Sequence, residues 1–517
     1  MFGIFKVSKT NELRSISQYI QNMNAMKSQI VFLVILLFFS SCQQKKSSSN
    51  QTSYESFRPQ YHFTPATGWM NDPNGMVYYE GEYHLFYQHY PDSTVWGPMH
   101  WGHAVSTDMV HWEHLPIALY PDSLGFIFSG SAVIDWKNTS GLGTLQTPPM
   151  VAIYTYHDPE GERTGRIDFQ TQGIAYSVDK GRTWTKYEHN PVLPNPGIRD
   201  FRDPKVSWNE VSNQWVMTLA VKDHIEFYGS PDLKKWSKLS DFGNAIGAHG
   251  GVWECPDLFP LKDSRGSARW VLLVSMNPGG PQGGSATQYF IGDFDGKNFI
   301  PQDSKTRWID YGADNYAGVT WSDIPASDGR RLFMGWMSNW QYANLVPTQA
   351  WRSATTLPRE VTLEKKDSEY ELNFKPIAEI EKIQGDAKTV SGSAILDHPL
   401  SLITFDVTEN AFVVTLANEG KEYITVSFQQ GILSFDRRNS GIIDFSDVFP
   451  AVHKMDLGDI HVKKVSLYLD LSSVEIFIND GERVMTEIIF PTKPYDQVKL
   501  EKENPQMNIS TITSTLK

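Results

Sequence analysis

The sequence predicts an all-β protein, a five-bladed β-propeller followed by a C-terminal β-sandwich. Three observations carry that expectation. A strand–turn–strand pattern recurs through the middle of the chain. A second series of polar motifs recurs in phase with it. The last part switches to short alternating strands separated by turn residues. Composition agrees: of 517 residues, 40% are apolar, 20% charged and 13% aromatic, with 16 Trp. Lys and Arg total 46 against 59 Asp and Glu, a net charge of −13. Nucleic acid is therefore not expected as a partner, and a neutral substrate fits better. The two cysteines, Cys42 and Cys255, are too few for a disulfide framework or a cysteine-based zinc site. The Gly-rich stretch 279–284 lacks the spacing and strand–helix context of a dinucleotide site.

Residues 1–53 read as a signal and a flexible tether. Residues 30–39 are apolar behind Met26 and Lys27, and too short to span a bilayer comfortably. Ser40-Ser41-Cys42 and the polar run after it resemble a bacterial lipoprotein signal, in which Cys42 becomes the lipidated first residue. The alternative is an ordinary signal peptide in which Cys42 is incidental. Both imply export, and membrane contact is expected only through a lipid anchor at Cys42. Residues 1–25 precede the expected start at Met26.

Residues 54–360 hold the repeats. Ser106/Asp108/Trp112, Ser177/Asp179/Trp184 and Ser230/Asp232/Trp236 each follow a β-rich run. A weaker copy is Gly292-Asp293-Phe294-Asp295-Gly296 with Phe299. Spacings of roughly 50–75 residues suit propeller blades of several short strands each. The competing reading is a sandwich with chance similarity between hairpins. The second series is Trp69-Met70-Asn71-Asp72-Pro73-Asn74-Gly75, Phe128-Ser129-Gly130-Ser131, Phe201-Arg202-Asp203-Pro204, Trp253-Glu254-Cys255-Pro256-Asp257 and Asp314-Asn315-Tyr316-Ala317. Each heads a repeat, where the first strand of a blade lines the central channel, so one polar position per blade converges on one point. Pro73, Pro204 and Pro256 suit an edge strand, because proline donates nothing to a ladder.

Three carboxylates at one mouth suit glycoside hydrolysis, in which one carboxyl is ionised and another donates a proton to the leaving oxygen. Trp253 and Cys255 give Glu254 a weakly polar setting that favours the protonated form. Asp72, among Asn71, Asn74 and backbone amides, is expected to stay ionised, and Asp203 beside Arg202 likewise. A third fixed carboxylate can bind ring hydroxyls and stabilise positive charge at the anomeric carbon.

These motifs resemble the glycoside hydrolase family 32 β-fructosidases, the invertases, inulinases and levanases. The resemblance runs from about residue 57 to the end and includes Gly335-Trp336-Met337-Ser338-Asn339-Trp340-Gln341-Tyr342 and the run 351–360. It implies a propeller followed by a sandwich and retention of configuration through a fructosyl-enzyme. It implies Asp72 as nucleophile, Glu254 as acid/base and Asp203 as transition-state stabiliser. It places Asn71, Gln88, Trp96, Ser129 and Arg202 around the terminal fructose, with Trp69, Phe128, Tyr316 and Trp336 as walls. It implies a fructan or fructo-oligosaccharide as substrate, and no metal or organic cofactor. Retention further implies catalytic carboxyls about 5–6 Å apart.

Residues 361–384 read as a connector, and 385–517 as the sandwich, with strands at 401–407, 411–416, 423–428, 465–471 and 473–478 and a hairpin signal at Asn479-Asp480-Gly481. The sandwich is read as a buttress for the propeller rather than as a sugar-binding module. Trp340, Tyr342 and Trp351 either stack on sugars beyond the first subsite or fill the seam between domains. A fructosyltransferase with the same triad, a non-catalytic glycan-capturing lipoprotein and another five-bladed glycosidase are the competing functions. Linkage preference, exo or endo attack and oligomeric state are not legible.

Overall fold

Aromatic and β-branched residues in short runs, broken by polar turns, favour twisted antiparallel sheets, and the computed structural model has five such sheets ahead of a sandwich. It describes residues 55–516 except 409, 410 and 503. The segment read as signal and tether, Cys42 included, lies outside the described residues.

Blade I takes Gly68–Tyr79, Glu82–Tyr90, His100–Ser106 and Glu113–Leu119. Blade II takes Phe126–Ile134, Met150–His157, Gln170–Ser177 and Thr185–Lys186. Blade III takes Phe201–Asn209, Gln214–Val221, His224–Ser230 and Ser237–Phe242. Blade IV runs from Val252–Lys262 through Ala268–Asn277 and Ala286–Phe294 to Phe299–Pro301, with Arg307–Trp308 beside it. Blade V takes Tyr316–Thr320, Arg331–Met337, Arg359–Lys366 and Glu369–Pro376. The innermost strands touch in sequence and the fifth returns to the first. Trp351–Arg352 closes the ring by pairing in parallel with Gly68 and Trp69.

The Ser-x-Asp…Trp repeat is a capped turn between the third and fourth strands of a blade. In blade I, Ser106 Oγ accepts from the Met109 amide at 2.7 Å, and Asp108 Oδ1 from the His111 amide at 2.8 Å. The indole of Trp112 donates to the Met109 carbonyl at 3.1 Å. Blade II repeats this with Trp184 on Gly181 at 3.0 Å, and blade III with Trp236 on Leu233 at 3.1 Å. Short oxygen-bearing side chains satisfy the turn amides, and the indole locks the fourth strand.

Two six-stranded antiparallel sheets form the sandwich. One is ordered Lys388–Ser391, Gln506–Thr511, Ser401–Asp406, Lys464–Asp470, Ser473–Ile478, Arg483–Ile488. Alternate residues such as Ile403, Leu467 and Ile476 fill its core. Asn479 and Asp480 turn the hairpin with φ of 49° and 58°, in the left-handed region that Asn and Asp tolerate.

The reading of 361–384 as a connector is corrected. Residues 359–376 are the two outer strands of blade V, and Ala378–Ile383 is a 3₁₀ turn. Their charged residues alternate with Val361, Leu363, Tyr370, Leu372 and Phe374, whose face is buried. One-sided burial made a half-polar hairpin look like a linker.

Sandwich and propeller meet through buried ion pairs. Arg359 reaches Asp310 at 2.9 Å and Glu475 at 2.5 Å. Arg437 reaches Asp314 at 2.8 Å and Glu487 at 3.1 Å. His62 lies between Asp470 and Glu475 at 2.8 and 2.9 Å, which raises its pKa to about 9 against the opposing effect of burial. This buried seam is what a buttress requires.

Candidate active site

The innermost strand of every blade carries an irregularity at the same level. Two residues face one across the ladder at 71–72, 128–129, 203–204, 255–256 and 317–318. Such a bulge leaves its residues unpaired and re-aims their side chains. Asp203, Cys255 and Ala317 sit there with φ of 63°, 43° and 52°, backbone that is strained for non-glycine residues. Pro204 and Pro256 fall where the ladder is already interrupted, so their missing N–H groups cost nothing.

The bulges aim three carboxyls into one pocket of about 240 Å³. Asp72 Oδ2 accepts from Ser129 Oγ at 2.6 Å and from the Cys255 thiol at 3.4 Å, and Oδ1 accepts from Asn71 Nδ2 at 3.0 Å. Trp69 in turn donates its indole N–H to Asn71 Oδ1 at 2.7 Å, fixing which way that amide points. Asp203 Oδ2 accepts from the Cys255 amide at 3.1 Å. Glu254 Oε1 accepts from Arg202 Nη2 at 2.9 Å, and its Oε2 accepts from the Tyr316 hydroxyl. Arg202 is anchored at its other arm by Asp200 at 2.7 Å.

Electrostatics depart from the sequence expectation for two acids. Burial raises the pKa of Asp72, although Ser129, Asn71 and Cys255 donate to it, and the charge of Glu254 adds to the rise. Asp203 is pushed up to about 7, first by burial and then by Glu254 and Asp72, with Arg202 opposing. Desolvation outweighs the neighbouring guanidinium because Asp203 is 5% exposed. Burial, and the carboxylates beside it, hold the Cys255 thiol protonated, so it serves as a donor to Asp72.

Asn71, Gln88, Trp96, Phe128, Ser129 and Arg202 all line the pocket with the three acids. Gln88 Nε2 is buried without a partner, a donor available to a ligand. Trp69 and Trp336 do not form walls. Both are wholly buried and back the pocket, where Trp340 packs on them and itself lines the mouth. Tyr316 acts through its hydroxyl on Glu254 rather than as a wall. Tyr342 and Trp351 fill the seam: Tyr342 donates to Asp314 at 2.5 Å and packs on Phe449, and Trp351 lies under Arg58. Asp314, in the same motif as Tyr316, does not line the pocket. Its carboxylate turns to Arg437 of the sandwich, and Tyr316 makes blade V's contribution instead.

Sequence reasoning missed His157, Glu162, Phe169, Gln170 and Asp200, which complete the lining. Asp158 caps a short helix, Pro159–Arg163, by accepting from the Glu160 and Gly161 amides. That helix brings Glu162 to 3.1 Å from His157, whose ring stacks on Phe128 with centroids 4.2 Å apart. Only Asp200, two residues before Arg202, carried a local signal. Among the described residues no group of side chains is arranged to hold a metal ion.

A five-bladed ring with carboxyls gathered at one mouth defines a glycoside hydrolase of the propeller type. The chain belongs to glycosyl hydrolases family 32: residues 62–376 match the family's N-terminal domain and 363–515 its C-terminal domain. It is 46% identical to a levanase of Bacillus subtilis, over 94% of this chain and 75% of that one. It is 36% identical to an extracellular exo-inulinase of Aspergillus awamori over 89% and 95%. The crystal structure of that exo-inulinase superposes with a TM-score of 0.82, covering 90% of this chain and 99% of that one at 36% identity. A fructofuranosidase of Schwanniomyces occidentalis complexed with fructose gives 0.79 over 89% and 100% at 34% identity.

Proposed function

We propose that the chain is an exported, retaining hydrolase of β-D-fructofuranosidic bonds in fructans, with levan or inulin as the main substrate and sucrose as a lesser one. The observation that carries this reading is the meeting of Asp72, Asp203 and Glu254 in one pocket, with Ser129, Arg202, Gln88 and Asn71 around them. Asp72 attacks the anomeric carbon of the terminal fructosyl unit while Glu254 gives a proton to the departing oxygen. Glu254 then takes a proton from water, which attacks the same carbon and releases Asp72. Retention needs the two carboxyls about 5–5.5 Å apart. Asp203 accepts hydrogen bonds from ring hydroxyls, and Arg202 holds Glu254 in place.

A pocket of about 240 Å³ suits one terminal unit, which favours release of fructose from chain ends. Export is supported by the extracellular relatives, and a lipid anchor at Cys42 is part of the proposal. We divide the chain into propeller to about residue 376 and sandwich from about 385. Incubation with levan, inulin and sucrose, with products resolved by chromatography, tests the reading. Fructose as the only product released from the polymer chains, and fructose with an equal amount of glucose from sucrose, are expected. A ladder of oligosaccharides would overturn exo attack, accumulating longer fructans would overturn hydrolysis, and no release from any of the three would overturn the whole reading.

A further inference from the structure

The innermost strands have two ends, and the acids use one. At the other end the innermost strands of blades II, III and IV, with Ser322, Asp323 and Arg331, line a second, larger cavity of about 580 Å³. Trp208 lies five positions beyond Asp203 on one strand, about 16 Å of extended chain. Between the mouths, the packing around Pro73, Pro204 and Pro256 leaves a void of about 10 Å³, too tight for a passage. The two cavities are therefore separate sites on one channel axis.

Indole rings of Trp136, Trp208 and Trp270 stand on the wall of the second cavity. Trp136 is 54% exposed yet fixed, since its Nε1 donates to Asp323 Oδ1 at 2.9 Å and its ring rests on Tyr79. Charges inside cancel. Lys205 and Arg331 face Asp257 and Asp323, with Lys205 and Asp257 3.3 Å apart. At the rim Lys137 pairs with Glu210 at 3.6 Å and covers one face of Trp208. Asp135 spends its carboxylate on the Thr139 and Ser140 amides of its own turn. Two lining residues keep a polar atom without a hydrogen-bond partner, the acceptor Asp257 Oδ1 and the donor Trp208 Nε1.

A ligand with net charge gains nothing where the field has no sign. A polyhydroxylated one both donates and accepts, and lays its C–H faces on indole rings. We infer that this back mouth is a second saccharide site, holding a stretch of neutral fructan while a chain end occupies the acid pocket. Its ligand rests on the fructan reading above; its position does not.

Full-length Asp72→Asn enzyme, which retains the pocket without turnover, is titrated calorimetrically with an inulin-type fructotetraose. Two binding events per chain are expected. Adding Trp136→Ala weakens one of them by about tenfold, and Ser207→Phe, which fills the cavity, does the same. In the otherwise unchanged enzyme, Trp136→Ala leaves sucrose turnover within about twofold and raises KM for polymeric fructan. A single event insensitive to both substitutions would overturn the inference, and so would equal affinity of the back mouth for a maltotetraose. If the unchanged enzyme cleaves no fructan, the preceding reading fails. Cleavage without any Trp136-dependent binding sinks this inference alone.

Discussion

Replacing Asp203 with Asn should make the protein more stable, and by an amount that depends on pH. The Asp203 carboxyl has its pKa raised to about 7 in the folded chain, chiefly by burial, against about 3.9 when unfolded. A carboxyl whose folded pKa is raised destabilises the fold once it must ionise there. The cost is absent below about pH 4, grows through the interval and levels off above about 7. At about 1.4 kcal/mol for each tenfold change in acidity, that difference sets a ceiling of about 4 kcal/mol. Asn keeps the shape, and its carbonyl can still accept from the Cys255 amide at 3.1 Å. For a unit spanning 55–517, about 2.1 cal/mol/K per residue gives about 1 kcal/mol per degree, so Tm should rise by a few degrees. Thermal unfolding of both proteins between pH 4 and 8 reads this directly. The gain should be largest at pH 8 and shrink towards pH 4, while turnover is lost throughout. A gain that is constant with pH, or largest at pH 4, would refute the reasoning.

Other substitutions probe other parts of the site and its support. Glu254→Gln should lower kcat by about 10²–10⁴ with the fold retained, read from fructan hydrolysis after circular dichroism. Cys255→Ala removes a donor that lowers the Asp72 pKa, so the acidic limb of the kcat/KM profile should move to higher pH; an unmoved limb would show that the thiol does not act on Asp72. Arg437→Ala leaves Asp314 and Glu487 buried without their cation and should cost about 3–5 kcal/mol in denaturant titrations. Gly130→Ala would set a Cβ 2.0 Å from the Ile153 carbonyl oxygen. It should lose about 1–3 kcal/mol of stability and disturb Ser129 enough to lower turnover.

What the sequence revealed is what is local. Ser106, Asp108 and Trp112 cap a turn within seven residues, so their recurrence marked the blades. The phase of the acidic motifs followed from the same period. Bulges were not legible, because a bulge is defined by the partner strand: residues 317 and 318 of blade V face a single residue of the neighbouring strand, and nothing local marks them. The outer hairpin of blade V was hidden by the charges on its solvent face. His157, Glu162 and Gln170 reach the pocket from the second and third strands of blade II and the loop between them, where no motif repeats. The shifted pKa of Asp203 depends on how completely tertiary packing excludes water, which neighbouring Arg202 alone did not disclose.

Chemical rescue of Asp72→Gly tests the central claim most directly. With the nucleophile removed, azide can enter beside the anomeric carbon from the face that Asp72 occupied. The expected result is negligible fructan turnover that azide restores, with the fructosyl azide formed in the inverted, α configuration. Turnover that persists without azide, an adduct of β configuration, or no rescue at all would contradict the assignment of Asp72 and the retaining pathway built on it.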